Sequence, residues 1–407
     1  MLIPRNLSHG WSLPMSDRRG YAVPPGRRRR HGLLCMQGRM WDSKEVFAMS
    51  AVRELNFAPK GEGRLPLPDR CSLDVSCFEE QEVQQALAIA IEETLYVVAC
   101  AGIELQALDG LTVAADCRAA ACALQNLPEG QIPLEMNPQP EVMEMARTAA
   151  VRREGDLRFH IVLRRGLGLM TLSPEAEMQR LALACIAHEA AHVEHESHLY
   201  RMFPDSYGKP LECGNRSRQT FLKAMDVWSE YAACRSSASF RPEAVEEFEG
   251  ILCRAIDDSF AAALEQIKAH REGRGAGEVF REVQQIFGDV FICAGYLLGH
   301  VHGLELNLKD RTTRLDELLR KNPLLEGLMA RLERILDELW LQEFVWASIE
   351  VFAPIYDLIC EMMSECGLVF ARHEEEWRIV MYEEREAIDK ARAALERWTK
   401  PPEPQQE

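Results

Sequence analysis

Residues 186–198 read I-A-H-E-A-A-H-V-E-H-E-S-H. Four of the chain's eleven histidines fall in this segment, and it contains His188-Glu189-Ala190-Ala191-His192, a complete H-E-x-x-H. The pattern is useful only on a helix. There, positions i and i+4 share a face, so His188 and His192 present two imidazoles to one divalent ion, and Glu189, one position round, reaches a water beside it. The chemistry implied is zinc-assisted hydrolysis. The flanking sequence supplies the helix. Ser173-Pro174-Glu175 is a start signal, with a cap, a proline at the first helical position and an acid in the first turn. Nothing breaks the run from Met178 to Tyr200, and Pro204 ends it. Leu181, Ala184, Cys185 and Ile186 make its approach apolar, so the helix is expected to be buried.

A catalytic zinc site takes three protein ligands and keeps one position open. The strongest candidate for the third is Glu230, in a second helical stretch from about Gln219 to Ala238. The linker from Pro204 to Arg218, with Gly208, Pro210 and Gly214, turns the chain back. Ala232 and Ala233 are small enough for close helix approach, and Asp226, one turn before Glu230, is placed to accept the free N–H of a liganding histidine. H-E-x-x-H followed by a helix carrying Trp228-Ser229-Glu230-Tyr231-Ala232-Ala233 resembles the gluzincin branch of the zincin metallopeptidases over residues 80–240. The resemblance implies His188, His192 and Glu230 as zinc ligands and Glu189 as general base. His198 sits where metzincins place a third histidine, but His195 stands where that pattern has glycine. On an unbroken helix His198 lies about 9 Å beyond His192 along the axis. His195, Tyr231 and Tyr200 are alternative oxyanion donors, His195 and Asp226 being candidates also for a supporting role beside the ligands.

Around this motif the sequence predicts an α+β core. Asp156–Arg164 alternates as a strand, with Leu157, Phe159, Ile161 and Leu163 facing in, and residues 145–152 form its hairpin partner across Arg153-Glu154-Gly155. By the zincin resemblance the 156–164 strand would be the edge strand that pairs with extended substrate. Glu79–Ala101 reads as a long amphipathic helix and Leu108–Ala115 as a short strand. Beyond Pro242 the pattern turns helical: 243–270, 277–302, 311–340, 344–366 and 373–398, with breaks near Gly273–Gly277, Asn322-Pro323 and Gly367. The Phe291–Gly303 stretch is apolar but too short and interrupted to span a bilayer. Tyr296, His300 and His302 on it read as packed core residues.

The expected organisation is a basic, disordered leader over 1–48, a zincin-like domain over 49–241 (small sheet, active-site helix, Glu-bearing helix), an all-α region over 242–400 and a disordered tail over 401–407. The leader holds nine Lys and Arg against three Asp and Glu, including Arg27–Arg30, while the whole chain carries −17. It lacks the apolar core of a secretory signal; a start at Met40 or Met49 would make it an over-extended reading frame. The acidic body argues against nucleic acid as the main partner. Thirteen cysteines without a C-x-x-C pair fit reduced thiols in a cytoplasm. The function expected is a zinc-dependent peptidase acting on protein or peptide substrates, with no membrane partner and with a protein partner for the C-terminal helices. The alternative is a non-enzymatic interaction protein that uses a zincin-like core as scaffold.

Overall fold

A computed structural model of the chain describes residues 2–4, 52–56, 67–68, 70–125, 142–204, 218–271, 273–373 and 376–381. The expected tail lies outside them, as do the leader beyond residue 4 and nearly all of the 204–218 linker. The chain forms two compact units, Met1–Val193 and Glu194–Glu407. The anticipated boundary at 241 falls inside the second, in short 3-10 turns over Ala238–Phe240 and Pro242–Ala244.

The first unit is α+β. Its elements in order are β1 (Leu2–Pro4), β2 (Val52–Asn56), β3 (Arg70–Asp74), α1 (Gln81–Cys100), β4 (Leu108–Ala114), α2 (Cys117–Gln125), β5 (Val142–Glu144), β6 (Ala146–Arg153), β7 (Asp156–Arg164) and α3 (Arg165–Met170), followed by α4 (Ala176–Met202), which runs on into the second unit. Five strands form a mixed sheet in the order β2-β3-β4-β7-β6, in which β3, β4 and β7 are parallel and the outer pairs antiparallel. The β6–β7 hairpin is as expected. Glu154 (φ 53°) and Gly155 (φ 99°) supply the two left-handed residues that a tight primed turn requires, and Arg153 pairs with Asp156.

One expectation about this hairpin is corrected. The 156–164 strand is not an edge, because β7 lies between β4 and β6, and β6 is the outer strand. The reason is visible in its burial. Besides the inward set Leu157, Phe159, Ile161 and Leu163, the intervening His160 and Val162 are also buried, since Cys117 and Ala121 of α2 pack with Ala149 and Val162 on the other face. Paired with β4 and β6 and covered on both faces, β7 is an interior strand. His160 is held there by a polar network. Its Nε2 lies 2.9 Å from Thr112 Oγ1, and its Nδ1 lies 2.9 Å from Asp109 Oδ2. Arg153 donates two bonds of 2.9 Å to the Asp109 carboxylate. Gly110 leaves room for the ring: a Cβ there would lie 2.8 Å from His160 Cε1.

The second unit is dominated by helices: α5 (Arg218–Ser237), α6 (Val245–Arg271), α7 (Ala276–Gly303), α8 (Thr313–Arg320), α9 (Pro323–Leu341) and α10 (Ala353–Glu365), then β8 (Leu368–His373) and β9 (Glu376–Met381). The break between α8 and α9 falls where Asn322-Pro323 predicts it, the Asn322 side chain accepting from Leu325 N. The helix expected from 373 onward is corrected: β8 and β9 pair antiparallel, with Leu368 opposite Met381 and His373 opposite Glu376. Trp377, Ile379 and Met381 repeat with the period of a strand, and this aromatic and β-branched content outweighs the helix formers that follow. Residues 382–398 lie outside the described residues.

The central pair of this unit is α5 and α7. A stripe of Gly295, Gly299 and Gly303, one residue per helical turn on α7, lies against the backbone of α5. A Cβ on these glycines would fall 2.8 Å from Val227 O, 2.2 Å from Tyr231 O and 2.2 Å from Arg235 O, respectively. Among the described residues two helices, α1 and α7, are long and apolar enough to cross a membrane by length and composition, although Phe291–Gly303 alone is too short. The apolar window of α7 is 67% buried inside the protein.

Candidate metal centre

The middle of α4 is enclosed: Ile186, Ala187, Ala190, Ala191 and Val193 are fully buried. Small side chains on these turns let the surroundings close around the helix, which leaves its polar residues to converge. His188 and Glu189 are buried and His192 half-buried. The Nε2 atoms of His188 and His192 lie 3.1 Å apart, with the rings edge to face at 4.7 Å between centroids. Two imidazole nitrogens bound tetrahedrally to one zinc, each at the usual 2.0–2.1 Å, stand about 3.3 Å apart. Glu230, on α5 of the second unit, is half-buried. His198 has its neighbours within the second unit. Its Nδ1 lies 3.0 Å from Arg201 Nη2, and its ring stacks on Phe344 at 4.8 Å.

Glu189 has a neighbour that the sequence did not single out. The Thr148 hydroxyl lies 2.9 Å from the Glu189 carbonyl oxygen and 3.0 Å from its Oε2. Thr148 is on the outer strand β6, opposite Ile161 of β7, so the hairpin register sets the place of this hydroxyl. A lone threonine in a strand carries no sequence signal for such a role. Only its period-2 position, on the same face as Ile161, points to it.

The remaining candidates are distributed differently. Asp226 is half exposed and lies 3.8 Å from Lys223 Nζ. Tyr231 is fully buried, and its hydroxyl is held by His302 Nδ1 at 2.8 Å and by Arg235 Nη1. Burial raises the phenol above its ordinary range, against the opposing pull of Arg235. His195 is buried, its Nε2 3.1 Å from Ser236 Oγ and its ring stacked on Phe344 at 5.2 Å. Tyr200 is half-buried near the end of α4. Cys185 and Cys234 are buried, and burial, followed by the Glu230 carboxylate, pushes the Cys234 thiol well above its usual range, as suits a packed small hydrophobe. His300 is likewise a core residue: burial holds its pKa down at about 4.

Comparison with family models, with curated proteins and with solved structures returned no match for this chain.

Proposed function

We propose that this chain is a zinc-dependent peptidase of gluzincin type, with His188, His192 and Glu230 as the metal ligands and Glu189 as the general base. The observation that carries the reading is the convergence of the two H-E-x-x-H imidazoles, Nε2 to Nε2 at 3.1 Å, on a buried helix turn. The donor set fits zinc, since two imidazole nitrogens and one carboxylate form a common catalytic ligand set that leaves a fourth position open. When bound, zinc supplies Lewis acidity toward water and toward a carbonyl oxygen.

The chain's own residues do the rest. The Glu189 carboxylate takes the proton of the attacking water and returns it to the leaving amine. Its neighbour Thr148 bonds to Oε2 or to the Glu189 backbone and so restricts the directions the carboxylate can take. Burial of Glu189, which is 2% exposed, keeps bulk water from the base and strengthens each electrostatic contact. The substrate is a protein or peptide, the compartment the cytoplasm, and the helices after α5 serve a protein partner.

The test uses Glu189→Gln, assayed for bound metal by mass spectrometry and for cleavage of fluorogenic peptide mixtures. Zinc at one per chain in both proteins, with hydrolysis in the wild type alone, supports the reading. Equal cleavage by the variant overturns it. One zinc per chain without cleavage by the wild type points to the scaffold alternative.

A further inference from the structure

Tyr231 and His302 remain without a task in this scheme, and the structure ties them together. Within the second unit a polar chain links three helices. The Tyr231 hydroxyl of α5 lies 2.8 Å from His302 Nδ1 of α7, and His302 Nε2 lies 3.3 Å from Glu333 Oε1 of α9. Arg235, one turn beyond Tyr231 on α5, donates to the Tyr231 oxygen and, at 2.8 Å, to Asp337 Oδ1 of α9. Its guanidinium lies 4.7 Å from the centroid of the Trp340 ring. The proton inventory closes with a neutral imidazole. Arg235 donates to the phenol, the phenol donates to Nδ1, and Nε2–H donates to the Glu333 carboxylate. Tyr231 is held at its backbone as well, where its carbonyl oxygen faces Gly299.

Glu230 is the preceding residue, about 100° round the helix. We propose that Tyr231, His302 and Arg235, with Glu333 and Asp337, are positioning residues that fix the rotation of α5 and thereby aim the Glu230 carboxylate. This inference rests on Glu230 being a metal ligand. The geometry makes such a device worthwhile. A carboxylate roughly 6 Å from the helix axis moves about 2 Å when the helix turns by about 20°. Coordination distances tolerate only about 0.2 Å. Glycines in the α5–α7 contact set the separation of the two helices but offer no directional bond against rotation. The buried hydroxyl, bonded on two sides, does.

The experiment measures the zinc dissociation constant of the full chain by chelator competition, with the visible spectrum of the cobalt-substituted protein as a second readout. The variants are Tyr231→Phe, His302→Ala and His302→Asn. Leu332→Val, a buried α9 change that removes no polar group, serves as control for lost stability. Tyr231→Phe and His302→Ala are expected to weaken zinc binding by about 10- to 100-fold and to shift the cobalt bands. His302→Asn, whose amide oxygen replaces the Nδ1 acceptor, recovers most of the affinity, and Leu332→Val leaves it unchanged. Unaltered affinity in Tyr231→Phe and His302→Ala overturns the proposal alone. A wild type that takes up no zinc, or binds it independently of His188, overturns the ligand reading and this proposal with it. If Tyr231→Phe fails to fold, the comparison of His302→Ala with His302→Asn decides.

Discussion

Replacing Gly299 by alanine sets two effects of opposite sign against each other. Gly299 lies inside α7, where alanine is favoured over glycine by roughly 0.5–1 kcal/mol, so helix propensity alone predicts stabilisation. The tertiary contact predicts the reverse. The new Cβ would fall 2.2 Å from Tyr231 O, 2.9 Å from its carbonyl carbon and 3.0 Å from Cys234 Cβ. The nearest obstacle is backbone, which cannot swing aside, so α5 must move away by about 1 Å to restore van der Waals contact near 3.2 Å. Overpacking of this kind costs about 1–3 kcal/mol, which exceeds the propensity gain and leaves a net loss of about 1–2 kcal/mol. For a unit of this size that lowers the melting temperature by about 2–8 °C. Gly327→Ala is the matched control, because Gly327 lies inside α9 with nothing within 4 Å of an added Cβ, and it is expected to stabilise by about 0.5–1 kcal/mol. Urea unfolding followed by circular dichroism measures both. If Gly299→Ala stabilises as much as Gly327→Ala, the close approach of α5 and α7 is refuted.

Three further outcomes follow from the geometry. On the proposed peptidase reading, Thr148→Val removes a hydroxyl bonded to the Glu189 carboxylate and should lower kcat by about tenfold or more at unchanged zinc affinity, as read by steady-state kinetics beside metal titration. Asp109 is partly buried, which alone would raise its pKa, but hydrogen bonds from His160 and Arg153 outweigh burial and lower it. A depressed carboxylate pKa contributes stability above its unfolded value near 4 that is lost as pH falls through the folded one, so Asp109→Asn should flatten the acid limb of the stability curve below about pH 4. His300 acts in the same sense, over a higher pH window. Its folded pKa of about 4, set by burial, lies below the unfolded value near 6.5, so the unfolded state gains protons first. Stability should therefore fall as pH drops from about 6.5 to 4, and His300→Gln should remove that slope in chemical denaturation at a series of pH values.

Much of the local structure was legible before any coordinates. The period of Asp156–Arg164, the Glu154-Gly155 turn and the uninterrupted run ending before Pro204 each depend on neighbours within a few residues, and each element formed where expected. The hairpin at Leu368–Met381 escaped for a local reason, since its two short strands are embedded among residues that favour helices. The edge of the sheet escaped for a non-local one. Alternation tells which side chains share a face, but it is silent on which strand lies next to which, and Val162 and His160 showed their burial only once α2 and β4 were in place.

What residues 186–198 determined by themselves is a helix with two imidazoles on one face and a carboxylate beside them, because a 3.6-residue period acts over a single turn. Tertiary structure decided everything drawn from distant positions. It brought Thr148 against Glu189 from 41 residues away and Tyr231 against His302 from 71, and it laid Gly299 on the backbone of α5. No sequence period links such positions. They meet through strand register and helix packing, where a single hydroxyl or a missing methyl group acts only in its final place.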